Sequence, residues 1–317
     1  MIFDTHAHYD DEAFDGDRDA VLASLAENGV GRVVDVGASA GSLDRVRALA
    51  ERWDFVYGAV GLHPDEVGTL NAGTEEKINR LLDHPKIVAV GEIGLDYHWN
   101  VEPREVQIEG FRRQIGIAVR KKKPIIVHSR SAAADTLRVI EAMYGPGSPA
   151  RKMARAEAEK KLLPGEYAEV PGKEWVWKKE IPEGPGFGLA EKGIIHAYAY
   201  SAEQARIYTG MGFLLGIGGV LTYENSRKLK KVVTEIPLDK LVLETDCPYL
   251  APEPHRGARN DSRMLRFVAD AIAALKGTTR EEVERITWDN AERLFNALNG
   301  VRPRYGVLTG SDPVQCL

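Results

Sequence analysis

Cysteine is scarce in this chain, with two residues, Cys247 and Cys316, among 317. Two thiols cannot build the multi-bridge framework of a secreted scaffold, so a reducing cytosol is the expected compartment and Cys247 is expected to pack rather than react. Long apolar runs are lacking too. None reaches the length that spans a bilayer, and no membrane partner is expected. No basic segment and apolar leader precede the first strand-like run, Met1-Ile2-Phe3, so a secretory leader is not expected and cytoplasm is the expected location. Positive charge is not in excess either: 42 Lys and Arg stand against 47 Asp and Glu, a formal net charge of -5. No global field attracts a polyanion, and nucleic-acid binding would need a local patch or a metal. No glycine-rich phosphate loop follows the first strand, which weighs against an open doubly wound sheet.

What is present is the balance of a globular protein, 44% hydrophobic and 28% charged. Short apolar runs alternate with amphipathic stretches. The spacing predicts helices over 18–27, 42–52, 74–82, 104–120 and 132–143, with the first stopped by Asn28-Gly29. Between and after them lie strand-like runs starting at Arg32, Phe55, Ile87, Pro124, Gly193, Phe213 and Lys240. Continuous apolar runs bounded by turns mark strands buried on both faces of a parallel sheet. With the N-terminal run they number about eight, the count that closes an α/β (β/α)₈ TIM barrel. The expected organisation is a single barrel over 1–299, a tail over 300–317, and an insertion over 145–192 ahead of the sixth strand. The insertion holds a charged, helix-like stretch, Arg151 to Leu162, and Trp175-Val176-Trp177, where a hairpin is expected.

Chemistry-bearing residues recur where the strands give out. His6 and His8 share one strand face, since side chains alternate. His63 follows the third strand, Glu92 the fourth, His128 the fifth, His196 the sixth and Asp246 the eighth. In a barrel these tips ring one mouth. Mixed imidazole and carboxylate donors suit Zn²⁺, Mn²⁺ or Mg²⁺, and the lack of cysteine among them disfavours a closed structural zinc site. The set can hold two ions with a carboxylate between them, an arrangement that activates water, so the implied reaction is hydrolysis. The basic runs Arg120–Lys123 and Lys228, Lys230 and Lys231 read as a helix C-terminus and a solvated helix face.

The ordered segments Phe3-Asp4-Thr5-His6-Ala7-His8, Gly61-Leu62-His63-Pro64, Gly91-Glu92-Ile93-Gly94-Leu95-Asp96-Tyr97, Pro124-Ile125-Ile126-Val127-His128-Ser129-Arg130 and Glu244-Thr245-Asp246-Cys247-Pro248-Tyr249-Leu250 resemble the signatures of the TatD-type metal-dependent deoxyribonucleases. Arg256-Gly257, Arg259-Asn260 and Asn290-Ala291-Glu292-Arg293-Leu294-Phe295 extend the match. The resemblance implies an amidohydrolase-like barrel and two divalent ions, Mg²⁺ or Mn²⁺ with Zn²⁺ as a further option. It implies Glu92 as their bridge, His6 and His8 on one ion, His128 and His196 on the other, and Asp246 as a ligand that orients or deprotonates the attacking water. His63 and Arg256 become candidate substrate contacts, Arg256 through its bidentate fork. The implied substrate is nucleic acid, DNA first and RNA second, cut from an end, with no obligate protein partner. A small-molecule ester, lactone or amide hydrolase is the alternative. A non-catalytic binding protein would have lost ligands, and none is missing. The chain departs from the pattern in the insertion and at His196-Ala197-Tyr198-Ala199-Tyr200-Ser201, where Tyr200 replaces a small residue and is expected to narrow the mouth.

Overall fold

The computed structural model describes residues 1–145 and 191–296, with the backbone of 167–168 and 176–177. The expected helix at 151–162, Trp175, the tail over 300–317 and the rest of the insertion lie outside the described residues.

Eight parallel strands form one sheet in the order β1-β2-β3-β4-β5-β8-β9-β10. They are β1 (Ile2–Ala7), β2 (Val30–Val36), β3 (Val56–Ala59), β4 (Ile87–Asp96), β5 (Ile125–Arg130), β8 (Gly193–Ile195), β9 (Phe213–Ile217) and β10 (Leu241–Leu243). β6 (Tyr167–Ala168) and β7 (Val176–Trp177) pair with each other, antiparallel, within the stretch where a hairpin is expected. The helices are α1 (Arg18–Ser24), α2 (Leu43–Arg52), α3 (Ala72–Leu81), α4 (Arg104–Lys121), α5 (Ala133–Tyr144), α6 (Ala202–Gly210), α7 (Arg227–Glu235), α8 (Leu265–Lys276) and α9 (Arg280–Asn296). The sheet curls into a nearly closed barrel. Its seam is made by Ala7 pairing with Cys247, by Thr245 and Asp246 N–H groups donating to the His6 carbonyl, and by the His8 N–H donating to Cys247.

Two apolar layers hold this arrangement. Phe3, Val34, Ala59, Val88, Ile126 and Ile194 are among the side chains filling the barrel interior. Trp288 and Phe295 of α9 pack 5.5 and 5.8 Å from the Phe3 ring, closing the end where the strands begin. The opposite end is left for chemistry. Outside the barrel, a second continuous core joins the strands to the helices, and Cys247 is buried within it as a free thiol.

Some boundaries differ from the sequence expectation. α1 stops at Ser24 and gives way to a 3-10 turn over Ala26–Asn28, ended by Gly29 at φ 79°. β4 is ten residues long and buried throughout, so Glu92 lies inside the strand rather than past its end. β10 stops at Leu243, leaving Glu244 to Asp246 as irregular backbone at the mouth. No helix among the described residues is long and apolar enough to cross a membrane.

Two buried glutamines, seven residues apart on one face of α4, hold strand ends at the mouth. Gln114 accepts from the Leu62 N–H at 2.8 Å and donates to the Leu62 carbonyl at 3.1 Å. Gln107 does the same for Asp96, at 2.8 and 3.0 Å. Each side-chain amide replaces a missing neighbouring strand. Changing Gln114 to Leu strips both partners from Leu62, and we expect unfolding free energy to drop by about 3 kcal/mol, from about 1–3 for each unsatisfied buried group. Urea titration of the variant measures it, and an unchanged midpoint would contradict this account.

Candidate metal centre

β1 changes its pairing register with β2 between Asp4 and Ala7. That irregularity reverses the alternation, so Phe3 packs inside the barrel while His6 and His8, of opposite parity, also face inward. Their Nε2 atoms lie 3.1 Å apart. His8 Nδ1 is 2.7 Å from the Val36 carbonyl, to which it donates, so Nε2 is the nitrogen left to face a cation. Glu92 Oε2 sits 3.4 Å from His6 Nε2 and 3.7 Å from His8 Nε2. Asp246 Oδ1 sits 3.8 and 3.4 Å from the same two nitrogens. Four donors around one point at 2.0–2.2 Å would be spaced by about 3.3 Å. The His6, His8 and Glu92 donors lie within 4.8 Å of one another, near the spacing of such a shell, and Asp246 Oδ1 adjoins both nitrogens, so these residues fit a divalent cation.

The other oxygen of Glu92 faces a second group. Oε1 is 2.8 Å from His128 Nδ1 and 3.7 Å from His196 Nε2. His63, Glu92 and His128 offer donor atoms that all lie within 4.8 Å of one another, a second cluster with the chemistry of a cation site. The His63 ring meets His128 edge-on at 4.4 Å, whereas His196 stacks on His6 at 3.6 Å and reaches Asp246 Oδ1 at 3.5 Å. The six residues expected as ligands therefore converge. His63 stands beside His128 and can share its group, while His196 lies between the two clusters.

Other carboxylates, which motif reading left without a role, orient these groups. Glu244 Oε1 is 3.1 Å from His196 Nδ1 and accepts from the Ala197 N–H. It has room only because position 216 is glycine, where a Cβ would stand 2.0 Å from Glu244 Oε2. Asp96 Oδ2 lies 3.0 Å from His128 Nε2, and its Oδ1 accepts from the His98 and Trp99 N–H groups. Asp4 accepts from Ser262 and Thr245 hydroxyls and from the His6 and Thr245 N–H groups, tying β1 to the mouth segment across the seam. The signal was period two or four: Asp4 precedes His6 by two residues, Glu244 precedes Asp246 by two, and Asp96 follows Glu92 by four. Asp246 itself sits at φ 58°, a left-handed conformation that a non-glycine residue adopts only when its surroundings enforce it.

Burial penalises every charge here, and the partners decide the outcome. Burial pushes the Glu92 carboxyl up, but His6, His196 and His128 hold it well below the usual range. Burial works against His8, His196 and His128 as cations, yet Asp246 and Glu92 raise His8 to about 10, Glu244, Asp246 and Glu92 raise His196 to about 10, and Asp96 with Glu92 raises His128 to about 9. For His63 burial prevails over the nearby carboxylates and lowers it to about 4. Protons thus supply the positive charge that the carboxylates demand in the protein without metal. A cation needs the lone pairs those protons occupy, so loading at pH 7 must release protons and affinity must rise with pH toward about 9–10. We expect calorimetric titration with Mn²⁺ in two buffers of different ionisation enthalpy to show that release. Identical heats in both would contradict it.

The family model described as TatD related DNase matches residues 3–296. The chain belongs to the TatD family. Among TatD relatives, it is 37% identical over 295 residues to the uncharacterized metal-dependent hydrolase YabD of Bacillus subtilis strain 168, covering 93% of this chain and 99% of that protein. It is 33% identical over 306 residues to the uncharacterized metal-dependent hydrolase TatD of Mycobacterium tuberculosis H37Rv, covering 93% and 97%. The crystal structure of YjjV, a TatD homolog from Escherichia coli K12, superposes with a TM-score of 0.74 at 27% identity, over 93% of this chain and 98% of that one. The protein is thus a metal-dependent hydrolase of the TatD family, on a barrel shared with YjjV.

Around this centre opens a cavity of about 940 Å³, lined by His63 and by Arg45 and Arg130 among others. The exposed Arg256 has its guanidinium over the Tyr223 ring at 4.4 Å. Tyr200, expected to narrow the mouth, does not line the cavity. Its hydroxyl donates to the Ser129 carbonyl at 3.0 Å and lies 2.9 Å from Ser129 Oγ, bracing the end of β5 instead of narrowing the opening.

Proposed function

We propose that this TatD-family hydrolase cleaves phosphodiester bonds of DNA, with RNA as a secondary substrate, working inward from a strand end. The observation that carries the reading is the division of Glu92. One oxygen faces His6 and His8, and the other faces His128 and His196. A carboxylate so placed suits two cations sharing it, Mg²⁺ or Mn²⁺ by donor type and Zn²⁺ next. When bound, such a pair supplies a water of lowered pKa and charge stabilisation for both the attacking and leaving oxygens.

The chain's own residues do the remainder. Asp246, 3.4 Å from His8 Nε2 and 3.5 Å from His196 Nε2, is placed to accept a proton from the attacking water. Glu244 and Asp96 hold His196 and His128 from behind, so the imidazoles need no reorganisation during reaction. Arg45 and Arg130 line the cavity and supply local positive charge on a chain whose net charge is negative.

A substrate panel tests the reading: single-stranded DNA, a phosphodiester dye and a lactone, each with Mg²⁺, Mn²⁺ or Zn²⁺ after chelation. Turnover of the phosphodiesters that disappears with EDTA and returns with divalent ions is the expected outcome. Turnover of the lactone alone would favour the small-molecule hydrolase and remove the nuclease reading.

A further inference from the structure

Trp99 is the feature of the mouth that the hydrolytic centre leaves unused. A tryptophan is ordinarily driven to bury its large apolar surface. Trp99 is 62% exposed, yet it lines the same cavity as Glu92 and His128. Its backbone is firmly held: the His98 and Trp99 N–H groups both donate to Asp96 Oδ1, at 2.8 and 3.0 Å. The other oxygen of Asp96 lies 3.0 Å from His128 Nε2. One buried carboxylate therefore sets the indole-bearing loop in register with the centre.

The surroundings give this side of the cavity a character of its own. The Arg130 guanidinium lies over the Trp99 ring at 5.3 Å from its centroid. A cation over an indole face is favourable by itself and also leaves a charge beside the ring for a phosphate. Across the mouth the wall is acidic on balance, with Asp10, Asp11 and Glu12 against Arg45, which pairs with Asp10 at 3.7 Å, and the exposed Tyr249 there is engaged by its hydroxyl with Asp11 at 3.2 Å. A polyanion is favoured on the Trp99 and Arg130 side over that wall.

We infer that Trp99 is a base-stacking platform: the nucleobase next to the scissile phosphodiester of a single strand lies on the free part of the indole, while Arg130 takes an adjoining phosphate. The inference rests on the phosphodiesterase reading and names how that site selects nucleic acid over other phosphodiesters. Stacking is tolerant of base identity because every base has a π-face. The expected behaviour is a preference for strands that carry bases, with little choice among the four.

The test uses the full chain with Mn²⁺ and two labelled substrates of equal length, a single-stranded oligonucleotide and the same backbone without bases. Wild-type protein should show the lower KM for the intact strand. In Trp99→Ala that KM should rise about 10-fold, the scale of one lost stacking contact, kcat should move much less, and the preference for the intact strand should collapse. Trp99→Phe should restore most of it. An unchanged preference in Trp99→Ala, with wild-type cleavage intact, overturns the platform alone. Wild-type protein that cuts neither strand overturns the nuclease reading and the platform with it.

Discussion

Glu92→Gln should cut turnover by about a thousandfold or more while leaving the fold in place. Glutamine keeps the shape of the side chain and removes the anion. Loss of a residue that only orients a ligand costs about 10–100-fold in metal affinity or activity. Glu92 stands further in, with Oε2 3.4 Å from His6 Nε2 and Oε1 2.8 Å from His128 Nδ1, so one substitution reaches both halves of the centre. A neutral amide is a weak donor to divalent ions that favour carboxylate and imidazole. The measurement is paired: kcat with saturating Mn²⁺, and bound metal after dialysis. Both should fall, and far-ultraviolet circular dichroism should not change. Wild-type metal content with wild-type turnover would show that the centre has been placed on the wrong residues.

Gly94→Ala should disable the same centre through the backbone. Gly94 sits at φ +151°, a conformation side chains rarely adopt, and it pairs with His128 across β4 and β5. A Cβ there would stand 1.9 Å from the His128 carbonyl oxygen and 2.8 Å from its carbon. Neither atom can turn aside, because both belong to the neighbouring strand. The strands must part by about an ångström where His128 departs, and misplacement of that size costs about 100-fold in rate. Strain and overpacking should also lower unfolding free energy by about 2–4 kcal/mol. Gly16→Ala is the control, since nothing lies within 4 Å of a Cβ at that position. Thermal melts and kcat should separate the two variants clearly. Equal behaviour would mean that β4 and β5 yield without disturbing His128.

Much of the centre was legible because its residues sit in short local patterns. Asp4-Thr5-His6-Ala7-His8 places two imidazoles on one strand face, and each later donor lies at or near the end of an apolar run that packs as a parallel strand. Glu92 shows the limit. Its strand continues to Asp96, because the apolar alternation through Ile93 and Leu95 outlasts the glycines that looked like its end. Arg256, expected as a phosphate contact, stacks on Tyr223, and Tyr200 turns to Ser129. Both depend on partners at a distance in sequence that local spacing does not encode.

The alternation of strand-like and helix-like segments, together with the identity of the donors, was decided by the chain's order of residues. Periodicity and side-chain chemistry are local properties that survive without a fold. The tertiary structure alone decided that one oxygen of Glu92 faces His6 and His8 while the other faces His128 and His196. It alone joined Glu244 to His196 and Asp96 to His128, and set Trp99 over the opening. Those relations arise where the strands of a barrel converge, and convergence brings together side chains that no local spacing in the sequence connects.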